Sequence, residues 1–139
     1  MKNALFILAL VAFAMPLRAD DETKHPIDQA MEAAIDKDSS TAGMVRAVSK
    51  ANKQWDAEMN DLYQDLKASM KPEEWAALVT AQKAWIVYRD AQIKSIVETY
   101  GHMQGTMYIP MSASDVMEIT KDRALFLKSL KEMISERSE

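Results

Sequence analysis

Apolar residues recur at intervals of three and four along most of this chain and never alternate over a sustained stretch, which is the periodicity of helices rather than strands. A short first helix is predicted from Pro26 to about Lys37. Proline opens it at a position whose N–H has no partner to lose, and Ile27, Ala30, Met31, Ala34 and Ile35 line one side. Asp38-Ser39-Ser40 interrupts the pattern. A second helix, capped by Ser40 or Thr41, is predicted to run to about Met70 with Met44, Val45, Val48, Trp55, Met59, Leu62 and Leu66 in one stripe. Lys71-Pro72-Glu73-Glu74 then breaks and restarts the pattern, with two acids at the positive end of the new helix dipole.

The third helix, Pro72 to about Tyr100, carries Trp75, Leu78, Val79, Trp85, Ile86, Ile93, Ile96 and Val97 on a face expected to lie along the whole of the second. From Gly101 to about Ser112 the periodicity fails and glycine and proline gather, which predicts an exposed loop. A fourth helix is expected from Ser114 or Asp115, where Asp115 and Glu118 stand in capping-box spacing, with Val116, Ile119, Leu127, Leu130 and Ile134 as its apolar side. Glu136 to Glu139 should fray. The expected fold is therefore all-α, a small helical bundle built on a long antiparallel pair, Thr41–Met70 against Pro72–Tyr100, with a short N-terminal helix and a C-terminal helix packed across it. Trp55, Trp75 and Trp85 are expected to anchor its core.

Residues 1–19 stand apart from this pattern. Lys2 supplies a positive start, Ala4 to Met15 is an unbroken apolar run too short to cross a bilayer as a helix, and Leu17-Arg18-Ala19 offers a small residue at a cut. The segment reads as a cleavable signal peptide, leaving residues 20–139 as a single domain in the periplasm or outside the cell, without stable membrane insertion. The chain has no cysteine, so a lipid-modified N-terminus is excluded and packing alone must hold the fold. Its formal net charge is −4, and loss of Lys2 and Arg18 with the signal makes the remainder more acidic. That sign argues against nucleic acid and anionic lipid and favours a basic partner.

Catalysis lacks its usual parts. His25 and His102 are the two histidines, and no serine sits in a glycine-flanked elbow. Glu73 and Glu74 point about 100° apart at a helix start, where acids serve as capping material. Phosphate loops and HExxH spacing are absent, and no cofactor is implied. Two polar features remain. Gln82 and Arg89 lie on or beside the apolar line of the third helix, so Arg89 is expected to pair with an acid from a neighbouring helix such as Glu58, Asp61, Asp65, Glu118 or Asp122. The other reading of the same place is a groove in which Gln82, Tyr88 and Arg89 recognise a ligand. In the loop, His102, Met103, Met107 and Met111 are soft ligands suited to Cu(I), although eleven methionines spread over the chain also fit a methionine-rich core.

Leu78-x3-Gln82-x2-Trp85-x2-Tyr88-Arg89-Asp90, preceded by Met59-Asn60-x2-Tyr63-x2-Leu66 and followed by Thr120-x2-Arg123, resembles the LprI-like N-terminal domain family. The resemblance runs from about Trp55 to Leu127, and Gln82, Trp85, Tyr88, Arg89 and Asp90 are its most specific part. It implies a small, helical, exported protein, and the family takes its name from a mycobacterial lipoprotein that inhibits lysozyme. Inhibition is a property of a few members. Family members usually carry paired cysteines, one shortly after the Tyr-Arg-Asp triplet, where this chain has Gln92 and Ile93. Gly105-Thr106-Met107 is similar to the family's loop pattern.

The resemblance implies an envelope binding protein that does no catalysis and meets a protein partner, a basic lysozyme-type glycan hydrolase attracted by opposite charge. Contact residues are then expected in the loop, at His102, Gln104, Met107 and Tyr108, and beside it at Tyr88 and Arg89. Two alternatives stay open: an envelope accessory protein binding Cu(I) or a small ligand through the Met/His loop, and a purely structural interaction module.

Overall fold

The computed structural model describes residues 24–137; the segment read as a signal peptide and the last two residues lie outside the described residues. Four α-helices occur in order: α1 (Pro26–Lys37), α2 (Thr41–Ser69), α3 (Pro72–Gly101) and α4 (Tyr108–Glu136), with no strand among the described residues. The all-α bundle of long helices expected from the periodicity is the fold observed.

Each boundary has a local cause. At α1 the His25 ring accepts a hydrogen bond from the Ile27 N–H at 3.3 Å, and Pro26 occupies the first turn. Between α1 and α2, Asp38 accepts from the Ser40 hydroxyl at 2.6 Å while Ser40 Oγ accepts the Gly43 N–H at 3.0 Å. The hydroxyl bond, together with one from the Ser40 N–H at 3.1 Å, holds the Asp38 carboxyl below its usual range. A side chain at Gly43 would collide with the Asp38 carboxylate and carbonyl, so the turn closes this tightly because Gly43 has none. Met70 and Lys71 make the α2–α3 turn, and Glu74 accepts the Lys71 N–H at 3.1 Å as α3 begins.

The fourth helix starts well before the expected Ser114 or Asp115, so the loop is shorter than Gly101 to Ser112. Pro110 is the reason the sequence misleads: it is the third residue of α4, inside the first turn, where a helix leaves its N–H groups unpaired and proline breaks nothing. The connection reduces to His102–Met107.

The packing differs in emphasis from the sequence reading. Trp55 lies beside Lys121, and Asp65 pairs with Lys131 at 2.6 Å, so α2 and α4 run parallel with a constant offset. This is the tight seam of the molecule, and both helices bury small residues, Ala47 and Ala51 on α2, Thr120 and Ala124 on α4. Trp55, Leu66, Met117 and Leu127 fill its centre. The long pair α2 and α3 is antiparallel, yet α3 makes its close approach to α4 instead, and it reaches α2 through side chains such as Trp75 on Tyr63, ring centroids 4.7 Å apart. The expectation that α3 lies along the whole of α2 is thereby corrected. Leu78 and Gln82 are its buried residues, Ile86 and Val97 are exposed, and its apolar side chains spread around its circumference. Trp55 anchors the core as expected, whereas Trp75 and Trp85 are half-buried against its edge.

Leu66→Ala empties a site that is fully sealed and is expected to cost about 2–5 kcal/mol, while Val87→Ala on the outer side of α3 should change stability by less than about 0.5 kcal/mol. Urea unfolding of the two variants measures the contrast, and equal losses would place α3 in the core after all.

Candidate functional site

Because little of α3 is buried, polar ties hold it to α4 at three levels. At its start, Glu74 takes a two-pronged bond from Arg137 at 2.7 and 3.1 Å. In the middle, Arg123 Nε donates to Gln82 Oε1 at 2.9 Å. At its end, the Tyr100 hydroxyl donates to Asp115 at 2.6 Å, an acceptor that holds the phenol proton on and raises its pKa above the usual range. Asp115, expected as a helix cap, thus lies inside α4 and clasps α3.

The middle tie is the unusual one. Arg123 Nη2 is sealed from solvent without a partner, and burial pushes the guanidinium pKa below its usual range. Its charge is met by aromatic faces rather than a carboxylate, with Phe126 at 5.1 Å and Trp85 at 5.8 Å. Arg89 covers the same indole at 5.4 Å. The sequence reading gave Arg89 the role of the buried cation paired across helices. In the structure Arg89 pairs with Asp90, its chain neighbour, at 2.8 Å, because its long side chain lies back along the surface, and Arg123 is the one that enters the interior.

The α3–α4 connection forms a tip at the end where the parallel helices α2 and α4 begin. His102 N–H and Met103 N–H close onto Thr99 and Tyr100 carbonyls, Tyr108 N–H bonds to Gly105 O, and Gly105 takes φ +117, a region that glycine enters freely. Tyr100 and Tyr108 face each other with ring centroids 6.3 Å apart. From Gly101 to Ser114 no Asp, Glu, Lys or Arg occurs. Met103, Met107, Ile109 and Met111 are each at least two-fifths exposed there. A shallow groove of about 450 Å³ runs between Val97, Tyr100, Met103, Tyr108 and Ile109.

The predicted contacts separate on this frame. His102, Gln104 and Met107 are exposed and Tyr108 half-buried, all at the tip, with His102 Nε2 3.3 Å from Glu98. Tyr88 and Arg89 sit more than ten residues back along α3, some 15–20 Å away at about 1.5 Å per residue, so they belong to a different surface. Of the soft ligands, Met103 borders the groove while Met107 and Met111 are not among its walls.

The sequence model of the family described as "Lysozyme inhibitor LprI" matches residues 31–127. The chain belongs to this family. A solved structure of an uncharacterized protein from Burkholderia thailandensis is similar, with 28% sequence identity and a TM-score of 0.75 over 81% of this chain. This chain spans 56% of that one. Comparison with curated proteins finds no match.

The residues that carried the LprI resemblance divide into two groups by burial. Gln82 and Thr120 are buried, and Tyr63, Trp85 and Arg123 are half-buried with them around the middle tie. Asn60, Tyr88 and Asp90 are exposed, and Asn60 folds back to the Asp56 carbonyl at 2.7 Å. Most of the motif therefore docks α3 rather than presenting a surface. Sequence reasoning missed a second junction. Asp28 on α1 accepts from Trp55 Nε1 at 3.3 Å and pairs with Lys121 at 3.0 Å, tying α1, α2 and α4 together. Burial pulls the Lys121 pKa down, but the bonds to Asp28 and Glu118 outweigh it and leave the value raised. Nothing in the chain pattern marks that junction, since Trp55 and Lys121 are 27 and 93 positions from Asp28. A cleft of about 640 Å³ opens beside it, lined by Lys24, His25, Lys128 and Glu132.

Gln82→Leu leaves Arg123 Nε without its acceptor and is expected to cost about 1–3 kcal/mol, whereas Gln82→Leu combined with Arg123→Met removes both polar partners and should recover most of the loss. Urea midpoints of the two variants decide it.

The Arg137 bond, aided by the Lys71 N–H, lowers the Glu74 pKa from 4.5 to about 2. A carboxyl depressed in the folded state contributes stability that is present above the unfolded value and is lost as pH falls through the folded one, here between 4.5 and about 2. Arg137→Ala should flatten the fall of the urea midpoint in that window, and salt should weaken the wild-type effect because the pair is exposed. An unchanged slope would remove Glu74 as the group responsible.

Proposed function

We propose that this chain is exported by a cleavable signal at residues 1–19, and that residues 20–139 act as one domain. Outside the cytoplasm it inhibits a basic lysozyme-type glycan hydrolase by protein–protein contact. The observation that carries this reading is the tip, an uncharged and largely apolar end on a chain of the family described as "Lysozyme inhibitor LprI". An inhibitor must put something into a substrate cleft, and a short turn between two helices held together by Tyr100, Tyr108 and Asp115 is a pre-shaped insert whose ordering cost is met before binding. His102, Gln104 and Thr106 offer polar groups among Met103, Met107 and Ile109. Elsewhere the acidic chain supplies the opposite field to a basic enzyme, which speeds encounter and is screened by salt. No helix among the described residues is long and apolar enough to cross a membrane.

The test is the rate of cell-wall lysis by a basic animal lysozyme, with and without excess protein, at low and physiological salt. Inhibition is expected at both, weaker at the higher salt, and lost when His102 to Tyr108 is replaced by a glycine-serine linker. Tyr88→Ala, on the distant surface, should leave inhibition intact. Lysis unaffected at either salt would remove this class of enzyme as the partner.

A further inference from the structure

The described methionines differ in exposure: Met31, Met44 and Met70 are half-buried, and the others divide between core and surface. Met59 and Met117 are sealed in the core at 3% and 0% exposure, while Met103, Met107 and Met111 stand 47%, 61% and 42% exposed in the uncharged tip. With no cysteine in the chain, thioethers are its only sulfur and its softest nucleophiles. We propose that Met103, Met107 and Met111 are a reversible oxidation site, and that their conversion to sulfoxides by a peroxide turns the tip from an apolar to a polar surface and switches it off as a contact. The second half of this statement rests on the inhibitor reading; the first does not.

The chemistry needs a peroxide and nothing from the protein but access. A sulfur lone pair attacks one peroxide oxygen, the O–O bond breaks as the S–O bond forms, and the departing hydroxide takes the proton of the transferred hydroxyl and leaves as water. Sulfur loses two electrons and the peroxide gains them. The reaction places a strong dipole on a flexible apolar side chain, and sulfoxide reductases reverse it. Position gives the change its effect. None of the three side chains supports the core, so the fold stays, and no charged side chain from Gly101 to Ser114 masks the new polarity. Met133, 61% exposed on the outer side of α4, provides an internal control, being at least as open as the three but remote from the tip.

The protein is treated with dilute hydrogen peroxide and its peptides are mapped for added oxygen, while retention on a hydrophobic-interaction column and thermal unfolding are followed in parallel. Met103, Met107, Met111 and Met133 should oxidise well before Met59 and Met117. Retention should fall without loss of the unfolding transition and return after treatment with sulfoxide reductases. Met133→Leu should behave as wild type, whereas Met103→Leu, Met107→Leu and Met111→Leu combined should keep its retention in peroxide. Inhibition of lysis should be lost by the oxidised wild type and return after treatment with sulfoxide reductases, and Met133→Leu should lose and regain it in the same way. Equal oxidation of core and tip, or a fall in retention that the triple variant shares, would overturn the proposal. Untreated protein that fails to inhibit would instead sink the inhibitor reading, with mapping and retention still deciding the oxidation site. Inhibition that survives full oxidation of the tip would overturn the switch.

Discussion

The parallel packing of α2 on α4 governs this molecule. Two helices of 29 residues, each about 43 Å long, cannot lie side by side in the same direction unless a third segment carries the chain back over nearly their full length. α3 is that return. Its length follows from the geometry of the pair it connects, and its burial need not. Most of the apolar seam is completed by Trp55, Met59, Leu62 and Leu66 on one side and Met117, Ala124 and Leu127 on the other, before α3 adds anything beyond Leu78.

What α3 lacks in buried area it replaces with directed bonds near its start, middle and end. Such ties stabilise less per contact than a packed face, but they fix register, since Arg137, Arg123 and Asp115 each hydrogen-bond to a single residue of α3. The middle tie is the most demanding, because a half-buried guanidinium with Gln82 and two rings for company has no carboxylate to balance it. The end tie sets the shape of the tip. By joining Tyr100 to Asp115 across the turn, it makes a six-residue connection out of what would otherwise be two fraying helix ends.

Helix number, order and most boundaries were legible in the sequence because Ser40, Pro26 and Pro72 act locally, through caps and first-turn geometry that the neighbouring residues determine. Pro110 was misleading for the same reason: its effect depends on whether it stands in the first turn or within a helix, and periodicity cannot tell which. Which helices touch was far less legible. An apolar face announces that it will be covered, not by what, and α3 has apolar residues on several sides, so its stripe from Trp75 to Val97 looked complementary to α2. The choice between Arg89 and Arg123 as the interior cation was hidden as well. Both have aromatic neighbours in sequence, and the distinction depends on which faces of α3 and α4 meet. The tip, by contrast, stood out as a stretch where periodicity fails and glycine and proline gather, and the structure changed its length more than its place.

The seam between α2 and α4 joins positions far apart in the chain, as Asp65 and Lys131 do across 66 residues. Closing so long a loop is costly in entropy and slow compared with neighbouring-helix contacts. A polypeptide delivered N-terminus first therefore completes α2 while its partner is still unmade. Until the last helix arrives, Trp55 has the start of α1 for cover, while Met59, Leu62 and Leu66 lack the α4 residues that complete their side of the seam. The order of emergence makes α4 the keystone: a chain interrupted before it loses one whole side of its interior, and quality control that senses exposed apolar surface has until that moment to act.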